Sequence, residues 1–224
     1  MARIPYAKRE QISELARQSG FPHGVPISNA FRMFAHAPSV GAATLRLVLA
    51  LLTETALDPK LRELVILRVS QRCKGEYAWV QHAAIAKTAG VSDAQIAALE
   101  RSEIALDLFN VRERVTFAFA VEVVDQASAR EDKFAAMRRM FSPCELLELL
   151  ELLLLIGCFR MISGVMTTLD VEVDPPFGGK VLALVQKTGT EARTPPTCQQ
   201  KWQDRCHDRI RLDFAPYGIE GEIQ

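Results

Sequence analysis

The sequence predicts an all-α fold, and three observations carry that prediction. Helix-start signatures recur between residues 27 and 172. Two segments, 59–72 and 143–159, are apolar on nearly every side, as a helix enclosed by its neighbours must be. Strand signals are nearly absent: apolar and polar residues never alternate for long, and no Asn-Gly or Asp-Gly pair marks a hairpin. Two such enclosed helices imply a compact bundle, oligomeric and completed by self-association.

Residues 1–26 give one short helix, 8–18, followed by an irregular connection through Gly20, Pro22, Gly24 and Pro26. Residues 27–172 form the helical domain. Its helices are expected at 28–37, 39–54, 59–72, 76–89, 93–101, 111–126, 129–140, 143–159 and 161–169. Pro38, Pro59 and Pro143 each stand at a helix start, where the missing N–H costs nothing. Asp58 before Pro59 is a simple cap. Ser92 to Gln95, Asn110 to Glu113, Ser128 to Glu131 and Ser142 to Glu145 read as capping boxes, the last with Phe141 stapled onto Leu146. Gly90 ends the helix before it, and His36 caps the end of another. Residues 173–224 carry Pro175, Pro176, Pro195, Pro196 and Pro216 with polar filler such as KTGTEARTPP, and read as a partly irregular tail.

Composition narrows the function. Lys and Arg total 27, Asp and Glu total 27, and the net charge is zero. That leaves no electrostatic footprint for nucleic acid or for an anionic membrane surface, and little self-repulsion. The one membrane-like stretch, 146–159, is interrupted by Glu148 and Glu151 and bounded by Arg160, and its uncharged run, 152–159, is far short of the roughly 20 residues a span needs. The N-terminus has no apolar leader, so the expected setting is the cytoplasm, with reduced thiols. The five cysteines, Cys73, Cys144, Cys158, Cys198 and Cys206, form no C-x-x-C pair. Cys198, Cys206 and His207 lack a fourth ligand at workable spacing, so no metal is expected.

Chemistry concentrates in LRELVILRVSQRCKGEYAWVQHAAIAKTAG, residues 61–90. Two helices meet at a tight turn near Lys74-Gly75, with Glu63 about eleven residues before it and His82 about eight after. At about 1.5 Å per residue, an antiparallel hairpin brings the two side chains to nearly one level. Burial raises a carboxylate's pKa and a neighbouring imidazole opposes that rise; such a pair suits general acid–base catalysis. The plainer reading has Glu63 bonded to Arg62, Arg68 or a backbone N–H, and His82 as a core histidine. Tyr77 and Trp79 line a pocket or fill the core. Glu76 reads as a charge that the helix dipole favours at an N-terminus. Cys73 is a small buried hydrophobe or a lone reactive thiol.

Three stretches carry a family resemblance: FRMFAHAPSV with LDPKLRELVILRVSQR, EYAWVQHAAIAKTAGVSDAQIAAL, and the closing hairpin ELLELLLLIGCFRMISGVMTTLDVEVDP. Over about 27–172 the chain resembles the carboxymuconolactone decarboxylase family, whose fold is shared with the alkylhydroperoxidase AhpD. In the peroxidase branch a Glu is followed after eleven residues by Cys-x-x-Cys, and after three more by His. Glu63 and His82 keep that nineteen-residue separation, but the cysteine positions hold Gly75 and Ala78. A disulfide-based peroxidase needs an attacking and a resolving thiol, so the resemblance is to a branch without that chemistry.

What the resemblance implies is an AhpD-like bundle, a trimer or hexamer, and a lyase (decarboxylase) or isomerase working on a small carboxylated or lactone-type compound without cofactor or metal. His82 would move the proton, Glu63 would orient it, and Tyr77 or Glu76 would give a second polar contact. Trp79 and Cys73 would line the substrate, and Arg160, Arg72 or Arg62 would meet its charge. The alternatives are a non-catalytic oligomer that binds a small ligand, and a peroxidase-like activity through Cys73.

Overall fold

A computed structural model describes residues 2–21, 27–105 and 107–176, with backbone only at 158–163 and 165–167. These residues form helices α1 (Arg9–Ser19), α2 (Asn29–Phe34), α3 (Pro38–Thr53), α4 (Pro59–Cys73), α5 (Glu76–Thr88), α6 (Asp93–Glu100), α7 (Val111–Gln126), α8 (Glu131–Arg138) and α9 (Pro143–Thr168). No strand occurs among the described residues.

Most helix starts are set as the sequence predicts. The Asp58 carboxylate accepts the Leu61 N–H at 2.8 Å. The Ser92–Gln95 and Asn110–Glu113 boxes are reciprocal. At Ser142 the hydroxyl accepts the Glu145 N–H, and the Glu145 carboxylate accepts the Ser142 N–H at 2.9 Å. Phe141 and Leu146 are both buried in one core.

Four expectations at helix ends and breaks are corrected. Ser128 caps nothing, because Glu122 accepts the Arg130 N–H at 2.9 Å and holds Arg130 extended as the residue before α8. His36 is no helix cap; its Nε2 meets the Pro5 carbonyl at 2.8 Å and ties the N-terminal arm down. The second helix stops at Phe34 rather than 37, since Pro38 disfavours helical backbone at Ala37, which sits at φ −125°, ψ 72°. The expected break between 159 and 161 does not occur: α9 runs unbroken for 26 residues. Its only interruptions are Gly157 and Gly164, and a glycine at about 1 kcal/mol does not stop a helix that has no proline after Pro143.

Helix α4 is the axis of the domain. It packs against α5, α6, α7 and α9, and buries Leu61, Leu64, Val65, Ile66, Leu67 and Val69. Arg62, Glu63 and Ser70 are enclosed with them. A smaller core joins α1 to α3 through Leu15, Ala42 and Leu45. The two ends of the described chain meet: the Arg3 N–H donates to the Leu169 carbonyl at 2.8 Å, and Tyr6 bonds Glu172. Among the described residues no helix is long and apolar enough to cross a membrane. Cys144 is disulfide-bonded, so the expected all-thiol state fails there. Of the predicted tail, residues 173–176 are described and 177–224 lie outside the described residues.

Candidate active site

The hairpin that carries the site is fixed at its turn. Helix α4 closes with Lys74 in the left-handed region, φ 55°, ψ 38°, and its N–H returns to the Ser70 and Gln71 carbonyls. Gly75 follows at φ −83°, a conformation open to any residue, and a Cβ added there would make only ordinary contacts 3.7–3.9 Å from Ser70. The turn therefore does not require glycine at position 75. Helix α5 then runs back along α4.

This return places His82 against Glu63. Glu63 has no exposed surface, while the His82 side chain is 20% exposed. His82 Nδ1 lies 2.8 Å from Glu63 Oε2. An ionised carboxylate only accepts, so Nδ1 carries the hydrogen and Nε2 is the nitrogen left for exchange. The other oxygen, Oε1, accepts from Arg62 Nε at 3.0 Å, and Arg62 is itself only 3% exposed. Both sequence-level alternatives for Glu63 hold at once: it engages the imidazole and an arginine.

Burial pushes the Glu63 carboxyl up, but the charges and hydrogen bonds of His82 and Arg62 outweigh it and hold the group below the ordinary carboxylate range. Glu63 thus stays ionised, oriented by two donors on two oxygens. The arrangement can fix the imidazole's tautomer and direction and steady a proton arriving on Nε2.

The remaining expected residues lie apart from this pair. Tyr77, from α5, donates to Asp174 Oδ2 at 2.8 Å. Burial pushes its phenol well above its usual value, so it keeps its proton. Glu76 is exposed in the first turn of α5, where the helix dipole favours it. Trp79 packs against the main core and, with Glu76, Ser70 and Glu100, lines a cavity of about 290 Å³ at the hairpin turn. No hydrogen bond among the described residues joins Tyr77, Glu76 or Trp79 to Glu63 or His82. Cys73 is half-buried at the end of α4, about 15 Å along the helix axis from Glu63. Arg72 is committed to Asp125 at 3.0 Å. Arg160 lies on α9, with its side chain outside the described residues.

No pattern in the sequence points to Asp174 or Gln81. Asp174 accepts from the Asn29 N–H and from Tyr77, and Gln81 Nε2 donates to the Asp174 carbonyl at 2.9 Å. These bonds strap the 171–176 segment across α5, one residue from His82. Among the described residues no group of His, Cys, Asp and Glu has the arrangement of a metal site.

Residues 38–132 match the model of the Carboxymuconolactone decarboxylase family. No curated protein matches the chain. Among solved structures, the alkylhydroperoxidase AhpD core of an uncharacterized peroxidase-related protein from Ralstonia eutropha JMP134 is similar, with a TM-score of 0.61 at 19% identity, covering 83% of this chain and 96% of that one. A peroxidase-related protein from Silicibacter sp. TM1040 gives 0.60 at 18%, covering 77% and 92%. The debrominase Bmp8 in its apo form gives 0.58 at 16%, covering 80% and 96%.

Proposed function

From a chain that fits the carboxymuconolactone decarboxylase family, AhpD-like in fold and without its Cys-x-x-Cys pair, we propose a lyase, specifically a decarboxylase, or an isomerase that works by proton transfer through His82 on a small carboxylated or lactone-type compound. The observation that carries this reading is the buried Glu63 carboxylate bound to His82 Nδ1 at 2.8 Å. In a decarboxylation the electrons of the breaking C–C bond pass into an enolate as carbon dioxide leaves. The proton on His82 Nε2 is then delivered to carbon, and solvent restores it. Glu63 stabilises the imidazolium that donates and Arg62 keeps the carboxylate in place; neither touches the reacting carbon. Gly75 and Ala78 at the dithiol positions, and the distance from Cys73 to the pair, speak against thiol chemistry. The chain is expected to act as a homo-oligomer in the cytoplasm.

One observation favours a second reading, a non-catalytic oligomer that binds a small ligand. Arg62 already neutralises Glu63, as a purely structural ion pair would. A single experiment separates the two: carbon dioxide release from a panel of small β-keto acids and carboxylated lactones, with wild type and His82→Ala compared. The proposal expects turnover that falls on the order of 10²-fold or more in the variant. Turnover of a substrate that survives His82→Ala in full overturns it.

A further inference from the structure

A cavity of about 480 Å³ opens away from the Glu63–His82 pair, between α4, the connection after α6, α7 and α8. Its apolar wall is Ile104, Phe117 and Val121, and its charged residues are Arg68, Arg114, Lys133, Glu122 and Asp125. The acids are already occupied. Glu122 is paired with Lys133 and also accepts the Arg130 N–H, and Asp125 accepts from Arg72. The two arginines are left over. Arg68 spends Nη1 on neutral partners, the Gln71 side-chain amide oxygen at 2.9 Å and the Ser102 hydroxyl at 2.8 Å. The Arg114 side chain has no hydrogen-bond or ion-pair partner among the described residues. The Nε atoms of both are buried without a hydrogen-bond partner.

Because each Nε has almost no accessible surface, an anion in the cavity is received at the outer nitrogens, Arg68 Nη2 and the two Arg114 Nη atoms, which make no hydrogen bond among the described residues and stand on facing helices. Burial, then repulsion from Arg72, pulls the Arg68 guanidinium below its usual range; attraction from Asp125 opposes this without cancelling it, and a further anion beside Arg68 adds to that relief. The wall of Ile104, Phe117 and Val121 sets the rest of the ligand's chemistry.

We propose that this cavity is a binding site for a small organic carboxylate, whose anionic end is held between Arg68 and Arg114 and whose apolar body lies on Phe117, Val121 and Ile104. The site is distinct from the Glu63–His82 pair and stands whether or not that pair is catalytic. A ligand here bridges α4, which bears Glu63, to α7.

The probe is 3-phenylpropanoate, titrated into the full chain while the arginine Nε–H resonances are followed by NMR. Saturable shifts at Arg68 and Arg114 are expected. Arg114→Gln, which removes a side chain with no described partner, weakens the affinity roughly tenfold or more, as expected for a lost charge-assisted hydrogen bond. The neutral analogue 3-phenylpropanol gives no saturable shift at either arginine. Equal affinity for the acid and the alcohol overturns the proposal, since the cavity would then be an apolar groove only. Unchanged affinity in both Arg114→Gln and Arg68→Gln overturns it too. So does binding lost in His82→Ala but kept in Arg114→Gln, which would place the carboxylate at the other site.

Discussion

A carboxylate with no surface in water stays ionised only where its neighbours replace the solvent. Glu63 shows how: one oxygen takes Arg62, the other His82, and their attraction exceeds the cost of burial. The sign of the pH effect follows. A folded-state pKa held below the unfolded value of about 4.3 means that the unfolded chain binds the proton first. The contribution is therefore fully present above that value and is lost as pH falls through the lower, folded one. Denaturant titrations from pH 6 down to pH 3 should show wild type losing stability more steeply with falling pH than Glu63→Gln, which has no carboxyl to protonate. Equal slopes would mean that Glu63 does not titrate differently in the folded chain. The pair itself was legible in the sequence, because nineteen residues across a short helical turn leave little freedom in where the side chains meet. Arg62 was legible only as one of several partners: nothing in its spacing says that its Nε reaches the neighbouring carboxylate. Asp174 was not legible at all, since a tail residue between Val173 and Pro175 shows no period that would reveal what it binds.

At the scale of the element, local chemistry predicted starts better than stops. Asp58, Ser92, Asn110 and Ser142 each cap through a bond to a residue three positions on, a contact the sequence contains in full. Ser128 failed because its rival, Glu122, lies back on α7, and only the folded chain brings it to the Arg130 N–H. Helix α9 runs past Gly157 because a lone glycine weakens a helix without supplying a stop. The glycines of α3 and α9 accordingly play opposite parts. A Cβ at Gly41 would sit 2.7 Å from the Phe34 carbonyl oxygen and 3.0 Å from Leu15 Cδ1, so the glycine lets α3 close on α1 and α2. At Gly157 an added Cβ meets nothing within 4 Å among the described residues. Gly41→Ala is expected to destabilise by about 1–3 kcal/mol, and Gly157→Ala to stabilise by about 0.5–1 kcal/mol. Thermal unfolding reads both: at roughly 2–4 °C per kcal/mol for a chain of this size, the midpoints should move in opposite directions. A rise in both would show that α3 has room the close approach denies.

Over the whole molecule, the described helices bury one large core around α4 and a smaller one under α1, yet leave large apolar side chains in water. On α9, Leu147 is 63% exposed and Leu154 60%, seven residues apart and so on one face of the helix. On α3, Val40 is 70% exposed. Isolated exposed leucines are ordinary; two on one stripe of a strongly apolar helix, in a chain of zero net charge, are what self-association requires. Hiding each leucine against a partner contributes about 1.5–3 kcal/mol. The double substitution Leu147→Lys and Leu154→Lys removes that gain and adds charge repulsion, without disturbing the core-facing Leu146, Leu149 and Leu153. Sedimentation velocity should find wild type as an assembly, a trimer or hexamer on the family expectation. The double variant should sediment near the 24.9 kDa of a single chain with its helical circular dichroism intact. If wild type itself sediments at that mass, the α9 stripe is not an interface, and α4 is enclosed by its own chain alone. If the variant stays assembled, the contact lies elsewhere, with the exposed Val40 on α3 the next surface to charge.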